Sequence, residues 1–216
     1  MRAFQADGRT ISAYLAVPET GSGPGVLVLH AWWGLTDFFK QVCERLAREG
    51  FIALAPDLYH GKTTTSIDEA RQLSSGRIDS DETYQDITES IGYLLKHPGR
   101  RGKALGAVGF SLGGFWALGL KDQMAAIVTF YGTTPPEKVL ARADFLGHFA
   151  EDDAFEPIEQ VRQFEEDIRS SGRQASFFLY PGTRHWFFEE NRPEYDAEAA
   201  RVAWERTIEF LHQRLD

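Results

Sequence analysis

The chain has a single cysteine, Cys43. That excludes an intramolecular disulfide and a cysteine-built zinc framework, and it points to a reduced, cytoplasmic setting. Long apolar runs are missing as well. Gly25-Val26-Leu27-Val28-Leu29 and Ala126 to Tyr131 are strand-sized, far short of the ~20 residues a spanning helix needs. The opening Met1-Arg2-Ala3-Phe4-Gln5-Ala6-Asp7-Gly8 turns polar before an apolar export segment develops. Basic residues are in the minority, 23 Lys and Arg against 32 Asp and Glu, so the net charge is −9. Phosphate backbones and anionic lipid repel that sign, and neither nucleic acid nor membrane is an expected partner. No histidine pair has the H-E-x-x-H spacing of a zinc site, and neither a metal nor another cofactor is expected.

What remains is an ordinary globular composition, 43% hydrophobic over 216 residues. A chain of that size buries roughly 70% of its unfolded surface, so one domain spanning 1–216 is expected. Residues 3–6 and 10–17 flank Asp7-Gly8 as a hairpin. Apolar β-rich runs then alternate with helical periodicity: strand 25–30, helix 37–49, strand 51–55, helix 81–96, strand 104–110 and helix 112–121. Strands 125–131 and 143–150, helix 157–171, strand 175–180 and a helix over about 193–214 complete the series. Such alternation predicts an α/β fold, a mostly parallel twisted sheet with helices on both faces. The polar segment 60–82 carries no strong pattern and is a surface excursion or a lid.

One motif carries chemistry. Gly109-Phe110-Ser111-Leu112-Gly113-Gly114 joins an apolar strand to a helical run, the setting of a nucleophile elbow. A serine on so sharp a turn needs small neighbours two residues away, and Gly109 and Gly113 supply them. The turn aims Ser111 at the start of the next helix, where the backbone N–H of Leu112 is the natural first oxyanion donor. A dinucleotide-binding loop would need glycine where Ser111 stands.

A hydroxyl needs a general base and a group to orient it, in the chain order serine, acid, histidine. The acid candidates crowd the segment after strand 143–150, namely Glu151, Asp152, Asp153 and Glu156. The histidine candidate is His185, after strand 175–180, while His212 lies in the terminal helix, His97 at a helix end, and His148 inside a strand as a core residue. Trp32, Trp33, Phe155, Trp186 and Phe187 flank these positions, suggesting an apolar or aromatic small-molecule substrate.

Read together, His30-Ala31-Trp32-Trp33-Gly34, Pro56-Asp57-Leu58-Tyr59, the Ser111 elbow, His148 to Pro157 and Tyr180 to Phe187 resemble the dienelactone hydrolase family of α/β-hydrolases, over residue 10 to the end. The resemblance implies the α/β-hydrolase fold and hydrolysis of carboxylic esters or lactones through an acyl-enzyme, with acyl transfer or perhydrolysis on the same residues, or a non-catalytic binding protein, as alternatives. It places the orienting carboxylate on Asp153, with Asp152 as fallback, and the second oxyanion donor on the backbone N–H of Trp32. Two departures stand out. The family's best-known members carry a cysteine nucleophile and a nearby glutamate, where this chain has Ser111 and Ala31. They also carry a substrate-binding arginine shortly after the histidine, where this chain has Phe188-Glu189-Glu190.

Overall fold

The computed structural model describes residues 1–6, 9–78, 80–120, 123–139 and 142–216. Asp7-Gly8, the expected hairpin turn, lies outside the described residues, but the strands it joins, β1 (Arg2–Ala6) and β2 (Arg9–Ala16), pair antiparallel, with Phe4 opposite Ile11. The remaining strands are β3 (Gly23–Leu29), β4 (Ile52–Pro56), β5 (Arg100–Phe110), β6 (Met124–Phe130), β7 (Asp144–Asp152) and β8 (Ala175–Arg184). They form one mostly parallel sheet in the order β1-β2-β4-β3-β5-β6-β7-β8, the fold of the α/β-hydrolases. The chain divides into two compact units, Met1–Leu105 and Gly106–Asp216, and β5 runs through the division.

In the first unit, β3 and β4 pair in parallel and are buried along their whole length. This explains why both read as continuous apolar runs rather than as alternations. Helix α1 (Asp37–Arg48) buries Phe38, Phe39, Val42, Cys43, Leu46 and Ala47, the i, i+3, i+4 stripe of a helix with one face on a sheet. A segment expected to be irregular contains a short helix, α2 (Ile67–Ser74). It buries only Ala70 and Ser74, too little apolar surface to leave a pattern. Helix α3 (Asp81–Lys96) begins where the Ser80 hydroxyl accepts the Thr83 N–H, an N-cap that satisfies an otherwise orphaned donor.

In the second unit, β6, β7 and β8 pair in parallel. Helix α4 (Leu112–Leu118) contacts β6, α5 (Ile158–Ser170) contacts β7 and β8, and α6 (Ala197–Leu215) contacts β6 and β7. Helix α6 starts after the expected 193 because the Asp196 carboxylate caps it, accepting the Ala199 N–H at 2.8 Å. Both β7 and β8 outrun the strands read from sequence. After a register shift beyond Ala150, Asp152 pairs with Arg184, so the ladder continues through Pro181-Gly182, residues that look like a turn.

Candidate active site

That extended ladder sets the geometry of the site. Asp153 and His185 are the residues that immediately follow the paired Asp152 and Arg184, so two side chains 32 positions apart leave the sheet side by side. His185 Nδ1 lies 2.7 Å from Asp153 Oδ2, and His185 Nε2 lies 2.9 Å from Ser111 Oγ. The structure thus brings Ser111, His185 and Asp153 into one hydrogen-bonded line within the second unit. A carboxylate only accepts, so Nδ1 carries the proton and Nε2 is left with its lone pair toward the hydroxyl.

Ser111 adopts φ 51°, ψ −113°, left-handed backbone that a side chain rarely takes. Its N–H donates to the Phe130 carbonyl at 2.9 Å, tying the turn to β6. Space at the turn is available only because of glycine. A Cβ on Gly109 would sit 2.2 Å from the Gly113 carbonyl oxygen, and one on Gly132 would sit 2.4 Å from that of Ser111. Gly132 was not among the sequence candidates, yet it borders the nucleophile position as closely as the motif glycines border one another.

The acidic loop sorts itself by environment. Asp152 is exposed, with 79% of its side chain in solvent near Arg184, whereas the Asp153 side chain is 1% exposed. Asp153 Oδ1 accepts the N–H groups of Phe155 and Glu156 at 2.8 and 3.1 Å, leaving Oδ2 for His185. Glu151 Oε2 accepts the Gly182 N–H. Glu156, the fourth acid, points inward. Its two oxygens accept the Thr133 N–H at 3.0 Å and the Thr133 hydroxyl at 2.7 Å, and burial lifts its pKa to about 7, against the lowering effect of those bonds. Sequence inspection showed four acids in one loop but held no signal for which would turn inward.

Three rings surround the His185 imidazole, those of Tyr131 at 4.8 Å, Phe155 at 4.8 Å and Trp186 at 4.9 Å between centroids. Phe155 is 49% exposed, while Tyr131 and Trp186 are buried. Of the other flanking aromatics, Trp33 and Phe187 are core residues. Tyr131 escaped the sequence reading because it lies at the end of an apolar strand, where a large ring reads as core.

The remaining histidines have structural partners. His148 is fully buried, with Nδ1 2.8 Å from the Tyr180 hydroxyl and Nε2 3.0 Å from that of Thr207; burial lowers its pKa to about 3. His212 sits beside Asp216 on α6. In the first unit, Trp32 follows β3. The buried His30 ring, its pKa lowered to about 4 by burial, accepts the Leu58 N–H on Nε2 and donates from Nδ1 to the Ala31 carbonyl at 2.7 Å. Because a trans peptide is planar, holding that carbonyl directs the Trp32 N–H the opposite way. Among the described residues no group of three or more His, Cys, Asp or Glu is arranged to hold a metal ion, and no helix is long and apolar enough to cross a membrane.

Comparison with known proteins agrees with this architecture. The family model described as "Dienelactone hydrolase family" matches residues 11–215. "Protein usf" of Aquifex pyrophilus is 32% identical, the match covering 98% of this chain and 97% of that protein. A protein of Aquifex aeolicus named "Putative carboxymethylenebutenolidase" is 29% identical over 96% of this chain and 95% of its own. Among solved structures, one titled as a "Putative Dienelactone Hydrolase" from Klebsiella pneumoniae has a TM-score of 0.85 at 24% identity, covering 96% of this chain and 95% of that one. At that identity the likeness speaks for the fold.

Proposed function

Since the chain belongs to the dienelactone hydrolase family, we propose that it is a serine hydrolase cleaving carboxylic esters or lactones through an acyl-enzyme on Ser111. The observation that carries the reading is the single imidazole bridging a serine hydroxyl and a buried carboxylate, at 2.9 and 2.7 Å.

Ser111 Oγ attacks the substrate carbonyl carbon while its proton passes to His185 Nε2. Asp153 Oδ2 accepts the Nδ1–H, holds the tautomer and stabilises the imidazolium that forms. The Leu112 N–H donates to the developing oxyanion, and the sequence resemblance adds the Trp32 N–H as second donor; losing one such donor costs ~3 kcal/mol of barrier. Collapse of the tetrahedral species expels the alcohol, which takes the proton from Nε2. A water molecule then repeats the sequence to release the acid and restore Ser111. The half-exposed Phe155 ring beside His185 supports a substrate with an apolar or aromatic group. The segment Phe188-Glu189-Glu190, where the family carries its arginine, gives no cation there for a substrate carboxylate.

The test compares the parent with Ser111→Ala and Asp153→Asn on short aryl esters and simple lactones, with fluorophosphonate labelling of the serine. Loss of turnover and of labelling in Ser111→Ala is expected, and undiminished turnover in that variant would overturn the mechanism.

A further inference from the structure

Glu189 is a carboxyl group taken wholly out of solvent. Its Oε1 accepts the Tyr131 hydroxyl at 3.0 Å, and its Oε2 is buried with no hydrogen-bond partner among the described residues. A charged carboxylate in that position would leave one oxygen without a hydrogen bond, which disfavours the charged form. Burial pushes its pKa up to about 8, which favours the neutral acid at pH 7. The residue reaches the chemistry through one intermediary: Glu189 holds Tyr131, and the Tyr131 ring lies 4.8 Å from the ring of His185.

Among the three rings around His185, Tyr131 combines full burial with an anchor at its far end. Phe155 is half in solvent, and Trp186 is the histidine's own chain neighbour, so it moves with it. Tyr131 is held at both ends. Its backbone N–H donates to the His148 carbonyl at 2.8 Å, and its hydroxyl is tied to a residue 58 positions away. Its backbone also pays in conformation, at φ 40°. The described residues include four non-glycine positions with positive φ, and Ser111, Tyr131 and Trp186 are three of them. Left-handed backbone at bulky residues is strained and persists where the surroundings over-determine it. Here two strained residues aim their rings at the histidine, and the third is the serine.

We infer that Tyr131 and Glu189 are positioning residues, a buried phenol–carboxyl pair that forms the fixed wall against which the His185 ring keeps its alignment between Ser111 and Asp153. This rests on His185 acting as the general base. An imidazole bonded only at its edges can still tilt about the bonds that hold it, and a misplacement of about 1 Å can cost a hundredfold in rate. The wall resists that tilt without touching the substrate.

The pair also has a pH signature. Glu189 faces Tyr131 from the end of β6 and feels Arg192 and Glu194 from its own turn; Tyr131 in turn faces His185 and feels Asp153 from the end of β7. Arg192, held 3.5 Å from Glu194 and above the Trp186 ring, favours ionisation of Glu189, and Glu194 opposes it. Ionisation above about pH 8 turns the phenol's acceptor into a carboxylate, which tightens that hydrogen bond and leaves a charge buried behind the phenol, so kcat changes across that range.

The experiment measures kcat and KM on p-nitrophenyl acetate from pH 6 to 9.5 for the full chain and for Tyr131→Phe, Glu189→Ala and Glu189→Gln, with thermal melts on each. Glu189→Ala is expected to lower kcat about tenfold or more with KM within about twofold, and Tyr131→Phe to lower it several-fold. Glu189→Gln should restore most of the activity at pH 7, because its amide oxygen accepts the same hydroxyl, and it should remove the change in kcat between pH 7.5 and 9 expected of the parent. If Glu189→Ala does not fold, Tyr131→Phe and Glu189→Gln decide. The proposal is overturned if folded Tyr131→Phe keeps the parent's kcat and the Glu189→Gln pH profile superimposes on that of the parent. Ser111→Ala and His185→Ala run alongside: if they stay active the general-base reading itself fails, whereas if they are dead and the pair variants are normal only the pair proposal fails.

Discussion

Asp152 and Asp153 are adjacent in the chain and opposite in environment, one in solvent near Arg184 and the other enclosed against His185. The last rung of the β7–β8 ladder separates them. Asp152 is the strand residue opposite Arg184, and Asp153 is the first residue free to turn toward the histidine.

The two aspartates should therefore respond differently to the same substitution. Asp153→Asn is expected to lower kcat by about 10³–10⁴, since an amide favours the wrong imidazole tautomer, while Asp152→Asn stays within about twofold. Steady-state kinetics on one aryl ester check both. Equal losses in the two variants would contradict the placement of the carboxylate.

Gly132 should be as intolerant as the glycines of the serine turn. Adding a methyl group puts a carbon 2.4 Å from the Ser111 carbonyl oxygen, so either β6 or the elbow must move. Gly132→Ala is expected to destabilise the fold by about 2 kcal/mol and to reduce fluorophosphonate labelling. A variant with the parent's melting temperature and labelling rate would show that the turn has slack.

Glu156 braces the loop that carries Asp153. Glu156→Ala removes acceptors from both the Thr133 N–H and the Thr133 hydroxyl, an expected loss of about 2 kcal/mol with a lower kcat. Glu156→Gln should recover part of each. Denaturant titrations and kinetics on the pair of variants test this; an Ala variant as stable and active as the parent would remove Glu156 from the site's support.

The buried groups predict opposite slopes of stability with pH. Folding lowers the pKa of His148 to about 3 and of His30 to about 4, below the ordinary ~6.5. Their contribution is present above pH 6.5 and is lost as pH falls toward those values. Folding raises Glu156 to about 7 and Glu189 to about 8, so their contribution is full below the ordinary ~4.3 and declines as pH rises through 7 and 8. Glu189→Gln should flatten the alkaline side of the stability curve, and His148→Gln the acid side, in urea titrations at pH 4 to 9. Unchanged slopes in both variants would show that neither group is buried as described.

Much of the architecture was legible because its signals are local. The strands read as apolar runs since parallel strands bury both faces, and α3 matched its expected bounds of 81–96 because a polar cap and Pro98-Gly99 bracket an apolar stripe. The serine turn was legible for the same reason, its glycines lying two residues either side of the serine. What was not legible depends on partners far apart in the chain. Helix α2 buries almost nothing, and the last rungs of β7 and β8 exist only because each finds the other. Among four neighbouring acids, residue type alone cannot say which meets a histidine 32 positions later. Tyr131 and Glu189 are 58 positions apart, and neither carries a pattern of its own.

The left-handed backbone of Ser111 has a consequence for how this chain would drift. Only glycine occupies that conformation without a penalty, so Ser111→Gly relieves strain of roughly 1 kcal/mol in the same step that deletes the hydroxyl. Random variants selected for thermal endurance alone should enrich that substitution, and only a requirement for turnover would retain the serine. In this molecule robustness and reactivity compete at one residue.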